Sequence, residues 1–439
     1  MRHGGGAFKQ TGADSCDNNE GPSADGKGME KVPMALELGL VKRGVAAAMM
    51  AAVVMTLSGC GNFFVYPGSL TGTTNTGDYV FVSNSTTNQT YINGYSISNG
   101  TLAATSGSPI NVNVIPSAMV VTTNNGILYI GSCGATALSA ATDSCVSGGG
   151  SDGIYAYAIG AAGALTALNT GAAVAGGYPV SLDVSPDGQW LVALDGISNT
   201  ITVYQINNST GALTAVQQPT VSSAYTITPN QVRVAPSGNY IAATFGPAGT
   251  VILPFVTSNG SFGNSYSIAA PNNVAAYSLA IDGSNNLYIA GTGGTTTTLG
   301  ISVYQLGASG ATQSNTTVYA TGADPRSMVL SSNYSYLYTG NQLGTASGAT
   351  QTGDISEFSQ SSAALTSLGI PILAPVDVYS MARDNSGKYI LAAGYNATTN
   401  GMILYTIGST GALSASAGVV TQAPSSTGVS MPSVMAVTH

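Results

Sequence analysis

An all-β fold, a seven-bladed β-propeller of four-stranded antiparallel blades, is what this sequence predicts, on three observations. The 439-residue chain holds 57 glycines, much threonine, serine, asparagine and tyrosine, and only 6% charged residues. Past residue 60 no segment keeps a helical period for three turns. A two-part unit of alternating apolar positions recurs along a chain longer than one ordinary core supports. The copies at the two ends of the repeat region are each incomplete, and together they make one whole.

Residues 1–59 differ from the rest of the chain, carrying six of the ten Lys/Arg and six of the eighteen Asp/Glu. Lys42 and Arg43 precede an apolar run, Gly44 to Leu57, that is short for a bilayer span, and "LSGC" (Leu57 to Cys60) ends it. The arrangement resembles the lipobox of bacterial lipoproteins, and an ordinary secretory peptide is the other reading. The resemblance implies that residues 1–59 are an upstream extension with a signal peptide, that Met29 or Met34 starts it, and that Cys60 is acylated. Residues 60–77 are then a lipidated tether and 78–439 the folded domain. Each buried methylene would add roughly 0.8 kcal/mol of membrane affinity. Gly61, in place of the aspartate that retains such proteins at the inner membrane, implies the outer membrane of a Gram-negative cell.

The repeats run in order along the domain. "GDYVFVSN" (Gly77 to Asn84) is an orphan second strand, and "INGYSISNGTLAA" (Ile92 to Ala104) supplies a third and fourth. Six first halves come next, at Pro116, Tyr178, Thr228, Ala276, Asp324 and Asp377, each two strands about a short polar turn such as Asp187-Gly188. Each leads into a second half, at Gly153, Asn199, Gly249, Gly300, Gly353 and Gly401, whose hairpin again turns on glycine or a small residue. "MPSVMAVTH" (Met431 to His439) is an orphan first strand. Joined to Gly77–Asn84 it completes a seventh blade and closes the ring, so that no sheet edge is left open at the termini.

Little acid–base chemistry is on offer. His439 is the single histidine after Cys60 and is also the last residue, and no Ser/His/Asp set, zinc motif, P-loop or calcium loop occurs. No metal and no cofactor is expected. Cys133 and Cys145 fall in one Gly/Ser/Ala-rich loop; in an exported protein a disulfide between them would add about 3 kcal/mol. After Cys60 four Lys/Arg face twelve Asp/Glu, which argues against nucleic acid and polyphosphates. Asp183 and Arg233 occupy one repeat slot in adjacent blades where the others have Val120, Ala280, Val329, Ala382 and Ala436. Opposite charges near the axis are expected to pair, with ligand contact as the alternative. Arg383 reads as a strand residue with local partners and Glu357 as a solvated charge.

The units "SPDGQWLVAL" and "ALTALNTG" resemble the lactonase-type seven-bladed propellers, the family of the bacterial 6-phosphogluconolactonase and the fungal muconate cyclase. That resemblance implies a site where Arg, His and Glu meet at the channel mouth. Here the blade reads "DPRS" and later "NQL": Arg326 keeps the arginine, Ser327 stands in the histidine position and Gln342 in the glutamate position. Two proton-transfer groups are thus replaced by residues that only hydrogen-bond. The expectation is a monomeric, noncatalytic binding module at the cell envelope, touching membrane only through its lipid and taking a glycan, peptide or protein at the mouth through Arg326, Ser327, Gln342, Asp183 and Arg233. A lactone hydrolase with an altered residue set is the alternative. Replacing Cys60 with Ser is expected to move the protein from the membrane to the soluble fraction; unchanged partitioning on fractionation would exclude lipidation.

Overall fold

The computed structural model describes residues 77–85, 90–132, 152–223, 225–270, 275–292, 300–343, 352–396, 400–416 and 434–439. Cys60, Cys133 and Cys145 lie outside them. Seven antiparallel sheets stand around one axis, numbered here as blades 1 to 7, with the strands of each given from the axis outward. Blade 1 has inner strand Pro116–Val121, then Ile127–Ser132, Gly153–Ile159 and Leu165–Ala167. The inner strands of blades 2 to 6 are Pro179–Val184, Gln231–Val234, Ala275–Ile281, Ala323–Leu330 and Val378–Arg383. Blade 7 takes Met435–Val437 from the end of the chain and Tyr79–Ser85, Thr90–Ser98 and Thr101–Ala104 from the start of the repeat region.

That last pairing is the closure the split repeat requires. Val80, Phe81 and Val82 face Val437, Ala436 and Met435 in antiparallel register. Ser83 N donates to the Val434 carbonyl at 2.9 Å and Thr438 N to the Tyr79 carbonyl at 3.0 Å. The inner strand Met435–Val437 lies against those of both blade 6 and blade 1, completing the ring.

The turn residues act as the repeats suggest. In blade 2 the Ser185 hydroxyl donates to Asp187 Oδ1 at 2.5 Å, Asp187 accepts from Gln189 N at 3.1 Å, and Ser185 Oγ accepts from Trp190 N at 3.0 Å. Thr122 with Asn124 and Ser331 with Asn333 repeat the pattern. The next residue takes a left-handed φ in all six intact first hairpins: Asn125 56°, Gly188 68°, Gly238 73°, Asn285 64°, Tyr334 58° and Gly387 68°. Glycine and asparagine accept that geometry cheaply, which is why they recur there.

Four blades add a short strand to the expected four. Thr90–Ser98 is nine residues long but its outer partner Thr101–Ala104 only four, and Ile110–Asn111 covers the remainder; blades 3, 4 and 5 do the same with Tyr266–Ile268, Tyr319–Ala320 and Ile372–Leu373. The chain returning to the axis thereby caps an edge that would otherwise stay open. Between blades, aromatic rings sit on hairpin glycines. Trp190 Nε1 donates to the Thr257 carbonyl at 2.6 Å, and a Cβ on Gly260 would collide with its ring. Tyr336 covers Gly411 in the same way.

Deleting residues 431–439 removes the closing strand and opens an edge on each side. The truncated protein should lose its single cooperative thermal transition; a melt like that of the parent would show that the ring does not depend on this strand.

Candidate functional site

The pairing of inner and second strands slips by one residue at the same end of five blades. Ladder partners skip Ser117, Val180, Tyr277, Arg326 and Tyr379. A bulged residue has no ladder partner, and the added local twist re-aims its side chain. All five stand at the same end of their inner strands, where Ser117 donates to the Gly131 and Pro179 carbonyls, Val180 packs against a hydrophobic cluster, and Tyr277, Arg326 and Tyr379 gather at one mouth of the channel.

In blades 4, 5 and 6 the bulged residues are connected. The Arg326 guanidinium lies over the Tyr277 ring, 4.2 Å from its centroid, and its Nη1 donates to the Tyr277 hydroxyl. Arg326 Nε donates to Gln342 Oε1 at 3.0 Å, and Gln342 Nε2 donates to the Tyr379 hydroxyl oxygen at 2.6 Å. Tyr379 in turn stacks on Tyr395, with ring centroids 4.6 Å apart and planes 5° from parallel. The five side chains are half-buried and form one arc across three blades. Behind it, buried Asn341 donates to Asp354 Oδ1 at 2.6 Å and Ser356 Oγ at 3.0 Å, fixing the strand end that carries Gln342.

Arg326 and Gln342 therefore meet as the sequence suggested, but the other candidates do not join them. Ser327 is buried, and its hydroxyl oxygen accepts from Met381 N of blade 6 at 3.0 Å. Asp183 likewise faces the next blade, accepting from Val234 N at 2.7 Å. Burial pushes its carboxyl above the usual range, with Arg233, the Val234 and Val184 N–H groups and His439 pulling the other way. Arg233 directs Nη1 to its own blade's Val232 carbonyl at 2.9 Å, so the expected pairing with Asp183 is an attraction through space. Arg383 reaches across to the Leu330 carbonyl at 3.0 Å.

Glu357 corrects the sequence reading. It is buried, not solvated, and accepts from Leu413 N of blade 6 at 2.6 Å; burial raises its carboxyl above the usual range. It pairs in register with Tyr338, and the matching positions elsewhere are Ala156, Val203, Ile252, Val303 and Leu404. A slot read across the repeats would have placed it inside. The same comparison would have found Tyr277 and Tyr379, which share the slot of Arg326 and Ser117.

Among the described residues no three His, Cys, Asp or Glu gather as a metal group would require. A cavity of 440 Å³ opens beside blade 5 between Tyr319, Thr321, Ser356, Phe358 and Pro371, and no member of the mouth arc lines it.

Comparison with known proteins fits this geometry. The model of a family described as "Lactonase, 7-bladed beta-propeller" matches residues 101–234 and 287–432, more than half of the chain. Tyr277 lies between the two matched segments. No curated protein sequence matches. Among solved structures, a candidate 6-phosphogluconolactonase of Bacteroides fragilis superposes with a TM-score of 0.61 at 18% identity, over 84% of this chain and 99% of that one. A second such protein, from Bacteroides uniformis, gives 0.63 at 16% over 82% and 99%. The periplasmic gluconolactonase of Pseudomonas aeruginosa gives 0.56 at 13%, also over 82% and 99%. At these identities the likeness is one of fold.

Ser327→Ala separates the two roles available to that residue. Leaving the Met381 N–H buried without a partner should cost about 1–3 kcal/mol of stability in chemical denaturation, with ligand affinity at the mouth unchanged. Unaltered stability together with lost affinity would reverse that assignment.

Proposed function

The chain belongs to the lactonase, 7-bladed β-propeller family, and from that premise we propose that it is an exported, lipid-anchored member acting as a noncatalytic binding module at the cell envelope. The observation that carries this reading is the content of the mouth. Its connected groups are one guanidinium, one carboxamide and three tyrosines, which stack and hydrogen-bond. The carboxylate and imidazole that general acid–base catalysis of lactone opening would use are replaced at Gln342 and Ser327. Tyrosine faces beside amide and guanidinium donors suit the ring and hydroxyls of a glycan better than an extended apolar peptide. The excess of acidic over basic residues also fits a ligand with little negative charge.

Lactone hydrolysis is the second reading, and family membership is the observation in its favour. Arg326 could hold a substrate carbonyl or anion, but without proton transfer the rate should lie about 10²- to 10⁴-fold below that of a site so equipped.

The test is a lactone-hydrolysis panel and a calorimetric oligosaccharide panel, both run on the purified protein beside Arg326→Ala and Gln342→Glu. Saccharide binding that Arg326→Ala weakens, with feeble turnover that Gln342→Glu raises, is the expected outcome. Rapid, Arg326-dependent hydrolysis by the unmodified protein would overturn the binding-module reading. An Arg326→Ala protein identical to the parent in both panels would return that residue to a structural role.

A further inference from the structure

Among the described residues, every non-glycine residue with a left-handed φ but one lies outside the strands. The exception is Asp324, which takes φ 50° inside the inner strand of blade 5, Ala323–Leu330, two positions ahead of the bulged Arg326. Ile115, Tyr178, Ala275 and Asp377, which stand two ahead of the other bulged residues, have no such φ. A left-handed φ brings the Cβ of an L-residue too close to the carbonyl oxygen that follows, and a proline next in the chain, here Pro325, presses the residue toward extended backbone. The short polar side chain of aspartate eases only the first of these. Such a conformation persists where the surroundings over-determine it.

The surroundings of Asp324 are fixed on three sides. Gly322 N donates to Ser356 Oγ of its own blade at 3.3 Å, and a Cβ on Gly322 would collide with Asp354 Oδ1 and the Asn341 side chain. Pro325 is buried, and its carbonyl accepts from the Ser278 hydroxyl of blade 4 at 2.9 Å. Ser327 Oγ accepts from Met381 N of blade 6 at 3.0 Å. The chain is thus held at Gly322, Pro325 and Ser327 by three different blades. Between those holds, Asp324 and Arg326 are the residues left to change its direction.

The strand ladder records both changes. Ala323 pairs with Leu343, Pro325 with Asn341 and Ser327 with Gly340, so the pairing skips Asp324 as well as Arg326. A continuous ladder would set Asp324 against Gln342. Instead Gln342 is the residue whose side chain accepts from Arg326 Nε, at 3.0 Å, while the guanidinium lies over Tyr277. With residue 324 extended, the ladder would close on Gln342 and the chain would enter the bulge at another angle. The guanidinium would then no longer lie over the Tyr277 ring.

We propose that Asp324 is a positioning residue for Arg326: its left-handed backbone, and not its carboxylate, sets the angle at which the bulged guanidinium crosses the mouth to Tyr277 and Gln342. The functional consequence rests on the binding-module reading, in which Arg326 meets the ligand. The strain is held by the contacts between blades, so the aim of Arg326 is fixed before any ligand arrives.

Magnetic resonance of the arginine Nε–H groups in the whole protein, grown with isotope-labelled arginine, reads that aim without a ligand. The arginines are Arg2, Arg43, Arg233, Arg326 and Arg383, and the signal that disappears in Arg326→Ala belongs to Arg326. A guanidinium 4.2 Å from a ring centroid, with its Nε–H bonded to a carboxamide, should give a signal shifted away from exposed arginine and protected from exchange with water. Asp324→Gly and Asp324→Asn accept a left-handed φ and should leave that signal in place. Asp324→Val, a β-branched residue for which this φ is an outlier, should move it to the exposed position; Asp324→Ala should move it part of the way and carries the test if Asp324→Val does not fold. In the oligosaccharide panel Asp324→Val should lose affinity as Arg326→Ala does, and Asp324→Gly should not. An unmoved signal in Asp324→Val, or in Asp324→Ala where only that folds, would overturn the positioning role even if the urea midpoint fell. Equal displacement by Asp324→Asn and Asp324→Val would also overturn it, the carboxylate then being what holds Arg326. A protein that binds no saccharide yet shows the expected pattern of signals would refute the binding module and leave the positioning role standing.

Discussion

The constraint on which this structure depends is the open edge of the inner strands. Seven blades around an axis leave each inner strand paired on one side only, and the backbone groups of the other side meet the next blade instead of a sheet partner. A buried N–H or carbonyl left without a partner costs about 1–3 kcal/mol, and a ring multiplies that problem sevenfold. The chain answers with short side chains at fixed repeat positions. Ser181, Asp183, Gln231 and Ser327 accept from the next blade's Val232, Val234, Leu279 and Met381 N–H groups, while Ser117, Asn230 and Ser278 donate to carbonyls. A chain with 6% charged residues can build such an interior because serine, asparagine and glutamine satisfy backbone without bringing a charge to be desolvated.

The mouth arises from the same constraint. Ladder-paired residues of the inner strand point at a neighbouring blade or the core, so their side chains are committed to packing or lacing. In blades 4, 5 and 6 the bulge leaves one residue, Tyr277, Arg326 or Tyr379, out of that arrangement. Arg326 and Ser327 are adjacent in sequence, yet one lies over Tyr277 at the mouth and the other is buried against Met381 N. At the bulged position the residue varies from Ser117, which laces to the Pro179 carbonyl, to Val180, Tyr277, Arg326 and Tyr379.

The sequence made the ring legible through repetition. Seven second halves against six first halves, with an orphan strand at each end, specify closure by Val80–Val82 on Met435–Val437, and Asp-Gly, Ser-Gly and Asn-Gly pairs mark four of the six left-handed turn positions, Asn285 and Tyr334 falling in no such pair. Arg326 and Gln342 are visible by resemblance, and they do bond. Tyr277 and Tyr379 are legible only through the repeat slot they share with Arg326, because a bulge is a property of how two strands register, which period-two alternation does not record; nothing in the sequence marks Tyr395. Glu357 misleads for the opposite reason. Its charge suggests solvent, whereas its slot, apolar in the five other intact blades, already indicates the interior.

Position 327 belongs to the lacing between blades and stands next to the mouth residue Arg326 in the chain. Its side chain answers the Met381 N–H, and any residue there must present an acceptor in that direction or leave the donor stranded. A histidine, which the family resemblance puts in this place, could meet the demand with one ring nitrogen, and accepting there would fix the other nitrogen as an N–H donor. Lacing and tautomer control would then be one interaction. Serine meets the same demand with a hydroxyl and has no second heteroatom to send toward the mouth. In this chain Ser327 makes the contact between blades 5 and 6, and Gln342 bridges Arg326 to Tyr379 at the mouth. On the proposed reading, a serine at this position keeps the contact between blades and the mouth geometry built by Arg326, Gln342 and Tyr379, while offering no group that carries a proton.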